Sequence, residues 1–219
     1  MMLYAAGSYH DVSVEAEVLC GVTWSGQLLW YADAGREQVV GVDPHSGESV
    51  TTHSCPGLRS GLAIYGENLV YAAGPDYLLR TIDPVSGEVV DESPNPRPGQ
   101  EISGLEGARQ GLWLAYRELL DLRTIGDFRL VECVGVNRIA TGVTVTDRFV
   151  VYCNDQAGNE RVPLGIITVL DTNAGQEVLS INVHGAPTGL SWDGSRIWYC
   201  DNASSRLRAI DVPGIVRSI

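Results

Sequence analysis

The chain reads GVTWSGQLLWYA from Gly21 to Ala32, and the same twelve-residue phrase returns four times without a gap. It is GLAIYGENLVYA from Gly61 to Ala72, GLEGARQGLWLA from Gly104 to Ala115, GVTVTDRFVVYC from Gly142 to Cys153, and GLSWDGSRIWYC from Gly189 to Cys200. In each copy two apolar or β-branched runs flank a turn rich in Gly, Asp or Asn, which is the pattern of a β-hairpin. A spacing kept five times while the side chains drift marks a repeated backbone object, with strands A and B joined by a tight turn.

Outward from the hairpin, a second landmark lies eleven residues after the closing small residue: Asp43 in GVDPHSGE, Asp83 in TIDPVSGE, Gly126 in RTIGDFR and Asp211 in AIDVPG. In the fourth copy it is Asp171, displaced by a seven-residue insertion around Gln156 to Pro163. A third strand ends there, and the β-rich runs beyond, such as Glu48 to Thr52, supply a fourth. The repeat glycines are 40, 43, 38 and 47 residues apart, the period of a propeller blade. The reading is therefore all-β: one domain over 1–219, a five-bladed β-propeller of four-stranded antiparallel blades. The last copy lacks an outer strand, and Ser8 to Val18 is expected to supply it by pairing with Arg206 to Asp211, closing the ring and hiding a sheet edge. The tail from Ile215 to Ile219 competes for that place.

Composition narrows the partners. Of 219 residues, 27 are acidic and 15 basic, giving a formal charge of −12, which argues against nucleic acid or an anionic membrane surface. No apolar run is long enough for a membrane span and no signal peptide is evident, so a cytoplasmic location, in a bacterial source, is expected. All basic residues are Arg and none is Lys, which removes Schiff-base chemistry and a P-loop. Cys20, Cys55, Cys133, Cys153 and Cys200 are odd in number without CxxC spacing, so reduced thiols are expected rather than a zinc or disulfide framework. The five Trp recur at strand positions and are expected to pack between blades.

The phrase Gly-Leu-x-Trp-x-Gly-x-x-Leu-Trp-Tyr-x-Asp followed by Ile-Asp-Pro-x-Ser-Gly-Glu resembles the broad propeller superfamily of YVTN repeats, gluconolactonase-type proteins and streptogramin lyases. The resemblance spans Gly21 to Asp211 and implies the architecture. It spreads function over hydrolases, lyases, oxidoreductases and scaffolds. Gluconolactonase-like proteins place an Asn before one repeat glycine as a metal ligand, where this chain has Cys20, Ser60, Ser103, Thr141 and Thr188. Streptogramin lyases use His and Glu near the same mouth, where only His184 falls here.

In a propeller, strand A lines the axis, and the segments entering A and leaving B open on one face, which is the expected site. His184, Glu101, Arg59 and Cys20 are the candidate catalytic groups: a base, an acid–base carboxylate, an anion clamp and a thiol nucleophile. Asp33, Tyr77, Tyr116, Arg117 and Asp201 are candidate ligand-binding residues. Asn154 and Asp155, with nearby carboxylates, make a hard-ligand set for a divalent cation such as Ca or Mg. Each has a plainer use, since an Asp ending strand B caps a turn through backbone amides and a small thiol packs in a core. The expected function is a small-molecule-binding propeller acting as a hydrolase, lyase or cyclase at the axial mouth. The alternative is a noncatalytic platform docking a protein partner through Tyr77, Arg117, Glu118 and Arg161.

Overall fold

The computed structural model of the chain describes residues 2–5, 9–146, 148–156 and 164–212. Two strands, β1 (Met2–Ala5) and β2 (Tyr9–Ser13), precede the first repeat. Blade I is β3 (Leu19–Trp24), β4 (Leu29–Asp33), β5 (Gln38–Val42) and β6 (Ser49–Ser54). Blade II is β7 (Leu58–Tyr65), β8 (Asn68–Ala73), β9 (Leu78–Ile82) and β10 (Val89–Ser93). Blade III is β11 (Gly104–Ala108), β12 (Gly111–Ala115), β13 (Leu119–Arg123) and β14 (Leu130–Gly135). Blade IV runs β15 (Gly142–Val145), β16 (Phe149–Gln156), β17 (Leu164–Asp171) and β18 (Gln176–His184). Blade V runs β19 (Pro187–Trp192), β20 (Arg196–Asp201) and β21 (Arg206–Asp211), with β2 as its outer strand.

The predicted hairpins are present. Gly21 pairs with Ala32, Gly104 with Ala115 and Gly142 with Cys153, so the first and last letters of the phrase face each other across strands A and B. The Asp-Pro-x-Ser-Gly turns close as expected, with the Asp43 carboxylate accepting the amides of His45 and Ser46 and Asp83 those of Val85 and Ser86, all at 2.7–2.8 Å. The fourth-repeat insertion lengthens β16 and β17, whose pairing reaches Gln156 opposite Leu164; residues 157–163, including Arg161, lie outside the described residues.

Blades stack face to face through five apolar clusters, one for each neighbouring pair around the ring. Trp30, Trp113 and Trp198 are buried in them, while Trp24 and Trp192 are half-buried. Outer histidines bracket neighbouring blades: His10 Nε2 meets the Pro44 carbonyl at 3.0 Å and His53 Nε2 the Pro84 carbonyl at 2.8 Å.

The repeat glycines explain why the phrase is invariant at its first letter. A Cβ on Gly104 would stand 2.7 Å from the Gly142 Cα, and one on Gly142 equally close to Gly189. Five A strands thus meet backbone to backbone about the axis, where no side chain fits. With Val22, Leu62, Leu105, Val143 and Leu190 beside them, they leave no room for water, so the open central channel expected from the repeat is closed at this level.

Ring closure follows the expected pairing, antiparallel from Tyr9 opposite Ile210 to Ser13 opposite Arg206. The sequence reading did not foresee β1, which adds in parallel to β18 from Met2 opposite Leu179 to Ala5 opposite Asn182. Blade IV therefore has a fifth strand, which covers its outer edge. The competing tail, Ile215 to Ile219, lies outside the described residues.

Candidate functional site

Directly above the glycine ring sit Cys20, Ser60, Ser103, Thr141 and Thr188, and their chemistry is structural first. Each hydroxyl donates to the carbonyl two residues before the next blade's repeat glycine. Ser103 bonds Ala140 at 2.7 Å, Thr141 bonds Pro187 at 2.6 Å, Thr188 bonds Leu19 at 2.6 Å, and Ser60 bonds Ile102. Cys20 breaks the belt, its thiol lying 3.5 Å from the carbonyl of Ala32 in its own blade. Burial raises the Cys20 pKa to about 12, so almost none of it is thiolate at neutral pH, which removes the nucleophile expected of it.

Over this belt lies a depression of about 240 Å³, lined by the belt together with Val18, Tyr77, Glu101, Ile102 and Asn202. Of the expected site residues, Cys20, Tyr77 and Glu101 line it, while Arg59 does not. Tyr77 stands on the turn between β8 and β9 with φ of 53°, a left-handed conformation shared by Glu37 and Ser205 at the matching turns of blades I and V, so turn geometry dictates it. Burial raises the Tyr77 pKa. The charge of Glu101 adds to the rise, while the Arg59 guanidinium opposes it. A phenol on the turn leaving strand B of blade II, a carboxylate entering blade III and a guanidinium entering blade II therefore share one electrostatic neighbourhood. Glu101 also lines a second, larger space of about 740 Å³ with Gly99, Gln100, Arg117, Glu118, Leu119 and Val136. It thus forms the wall between an axial depression and a groove running outward along blade III.

The other expected residues have different surroundings. The buried Asp33 carboxylate accepts the amides of Glu17, Val18 and Gly35 at 2.9–3.0 Å, tying the segment that enters strand A to the turn that leaves strand B. Asp201 does the same in blade V with the Ala186 amide at 3.1 Å, the Ser204 hydroxyl at 2.6 Å and Arg208 Nε at 2.9 Å. Both are braces rather than the ligand-binding groups expected. Tyr116 is buried between blades II and III and donates to Asn95 Oδ1 at 3.2 Å, so it is not offered to a ligand either. His184 ends β18 opposite Leu164, is exposed, and does not line the depression; its carbonyl accepts the Tyr199 hydroxyl at 3.0 Å.

The cation set does not assemble. Asn154 is buried at the position matching Asp33 and Asp201, and its Oδ1 has no hydrogen-bond partner among the described residues. The Asp155 side chain lies outside the described portion, while the Asp33 and Asp201 carboxylates are held by backbone amides. Among the described residues, no three of His, Cys, Asp and Glu gather closely enough to hold a metal ion.

One buried acid escaped the sequence reading. Glu106 on β11 stands two residues after its repeat glycine, where the other blades carry Thr23, Ala63, Thr144 and Ser191. Thr23 and Ser191 hydroxyls accept next-blade amides, from Ile64 at 3.0 Å and Trp24 at 2.9 Å. Glu106 Oε2 has no hydrogen-bond partner among the described residues. Burial raises its pKa well above the carboxylate range, against a smaller opposing pull from the Thr144 hydroxyl. The signal was available as the one acid at that letter of the aligned repeats.

No protein-family model and no characterised protein sequence matches the chain. Among solved structures it is similar to the glutaminyl cyclase of Myxococcus xanthus, with a TM-score of 0.74 at 15% identity over 96% of this chain and 97% of that one. It is also similar to Kuenenia stuttgartiensis hydrazine synthase, with a TM-score of 0.52 at 16% identity over 90% of this chain and 58% of that one. A third likeness is to the Pan2 WD40 domain of Neurospora crassa, with a TM-score of 0.51 at 10% identity over 96% and 98% of the two chains. At such identities the shared property is the fold, a five-bladed β-propeller in this chain.

Proposed function

We propose that the chain is a small-molecule-binding propeller whose axial depression carries out cyclase-type acyl transfer, the attack of an amine on a carboxamide of the same molecule. The reading rests on Glu101 and Tyr77, which line the depression above the closed axis, with the positive charge of Arg59 acting on Tyr77 from nearby. End-to-end similarity to a glutaminyl cyclase supports the choice among hydrolase, lyase and cyclase.

The chemistry asks for little more than these groups. The amine lone pair forms a bond to the carboxamide carbon, and the proton it sheds passes to the Glu101 carboxylate. The carbonyl oxygen becomes an oxyanion, to which the Tyr77 phenol donates a hydrogen bond while Arg59 supplies a positive field. Glu101 then returns its proton to the departing nitrogen, the carbon–nitrogen bond breaks, and a lactam and ammonia result. The hydroxyl belt below is already bonded to carbonyls, so it forms a rigid floor rather than competing donors.

Incubating the purified protein with a peptide bearing N-terminal glutamine, and following ammonia release and the loss of mass, tests this directly. Glu101→Gln is expected to lower turnover roughly 10²- to 10⁴-fold, and Tyr77→Phe about 10²-fold. Release of no ammonia, or wild-type turnover by Glu101→Gln, overturns the assignment.

A further inference from the structure

We infer that the groove beyond Glu101 is a subsite for a free carboxylate on the substrate, read by Arg117, so that the preferred substrate is a short acid of dipeptide size rather than the end of a long chain. The inference rests on the cyclase reading for the reacting end of the molecule and adds what holds the other end.

Size supplies the first support. The axial depression, at about 240 Å³, takes a group of one amino-acid side chain, whereas the adjoining groove offers about 740 Å³. Glu101 lines both, so a molecule whose reacting end lies against Glu101 in the depression extends into the groove without leaving the protein surface. A dipeptide spans roughly 7 Å, which keeps its second residue within the groove.

Charge supplies the second. The protein has 27 acidic residues for 15 arginines, and most arginines of the described residues have found a carboxylate: Arg80 with Glu92, Arg97 and Arg123 with Asp121, Arg148 with Asp171, Arg208 with Asp201. Arg117 is exposed on the groove wall and makes no ion pair among the described residues. Its backbone carbonyl is engaged, accepting the Ala140 amide at 2.9 Å, which fixes the main chain while leaving the guanidinium to the groove. Opposite charge on a ligand is what a planar five-donor fork recognises best. Leu119 and Val136 give the groove an apolar floor for the stem that bears the carboxylate, and the neighbouring Glu118 disfavours a second negative charge. The chemistry that fits is one carboxylate on a short apolar or backbone stem.

The test compares glutaminyl-glycine with its C-terminal amide, by steady-state kinetics and by calorimetry. The free acid is expected to show about tenfold or greater preference in kcat/KM, carried mainly by KM, and to lose that preference as salt rises. Arg117→Gln should bring the acid-to-amide ratio close to one, and Arg117→Lys should restore part of it. Because the side chain of Arg117 makes no ion pair or hydrogen bond among the described residues, a circular dichroism spectrum and Tm like wild type accompany these changes. Equal turnover of the two compounds by the wild type overturns the carboxylate subsite and leaves the cyclase reading standing. If neither compound is cyclised but calorimetry still shows an acid preference that Arg117→Gln removes, the subsite stands and the cyclase reading falls. Absence of binding to both compounds overturns the subsite outright.

Discussion

Glu106 shows how one residue ties protonation to folding. In the unfolded chain its carboxyl loses its proton near the ordinary value of 4.5, whereas in the folded protein burial keeps the proton on to a much higher pH. Between those two points the folded state binds more protons than the unfolded one, so this group makes stability fall as pH rises, and below the lower point it contributes nothing. Glu106→Gln keeps the shape and removes the slope. It is expected to raise Tm at neutral and mildly alkaline pH, by up to about tenfold in the folding equilibrium for each pH unit crossed, and to match wild type near pH 4. Parallel wild-type and variant Tm curves across that range would overturn the buried-acid assignment. At the same scale, Asp33 and Asp201 illustrate what a sequence leaves open. An Asp ending a strand is suited equally to a ligand and to an amide, and the choice depends on whether the amide of Val18 or Ala186 arrives within hydrogen-bond reach, 2.9 and 3.1 Å here. That distance is set by the path of another segment, so no local pattern records it.

Among the elements, the hairpins and the Asp-Pro-x-Ser-Gly turns were legible because their hydrogen bonds close within a few residues. The hydroxyl belt is visible in the sequence as a small polar residue before each repeat glycine, but its purpose is not, since each bond spans two blades. In the belt, Thr141→Val leaves the Pro187 carbonyl without its 2.6 Å partner and should cost roughly 1–3 kcal/mol. Cys20→Ser offers the missing fifth hydroxyl to the carbonyl of Arg59, two residues before Gly61, and is expected to gain about 0.5–1 kcal/mol. Chemical denaturation of both variants checks the pair, and a Cys20→Ser protein no more stable than wild type would show that the fifth bond does not form.

For the whole molecule, closure decides stability. Strand β2 completes blade V against β21 and buries Val12 in the cluster shared by blades V and I. Removing residues 1–14 therefore exposes a sheet edge and part of a core, and is expected to cost roughly 3–5 kcal/mol of the ~5–15 typical of a domain. Removing only residues 1–6 deletes β1, leaves β2 in place, and should lower Tm far less; equal losses in thermal melts would contradict this division of labour. The number of blades and their order were determined by the sequence alone, whereas the choice of β2 as the closing strand is settled by its pairing with β21. A repeated strand–turn–strand phrase with a glycine at a fixed letter can bury its apolar faces only by stacking copies, and the last copy lacks an outer strand, for which the N-terminal segment and the tail are both candidates. What the tertiary structure alone decided is which polar groups line the axial depression and which face each other. Tyr77 and Glu101 share the depression and Asp33, Asp201 and Tyr116 do not, because hydrogen bonds between blades join residues far apart in the chain, where spacing carries no information.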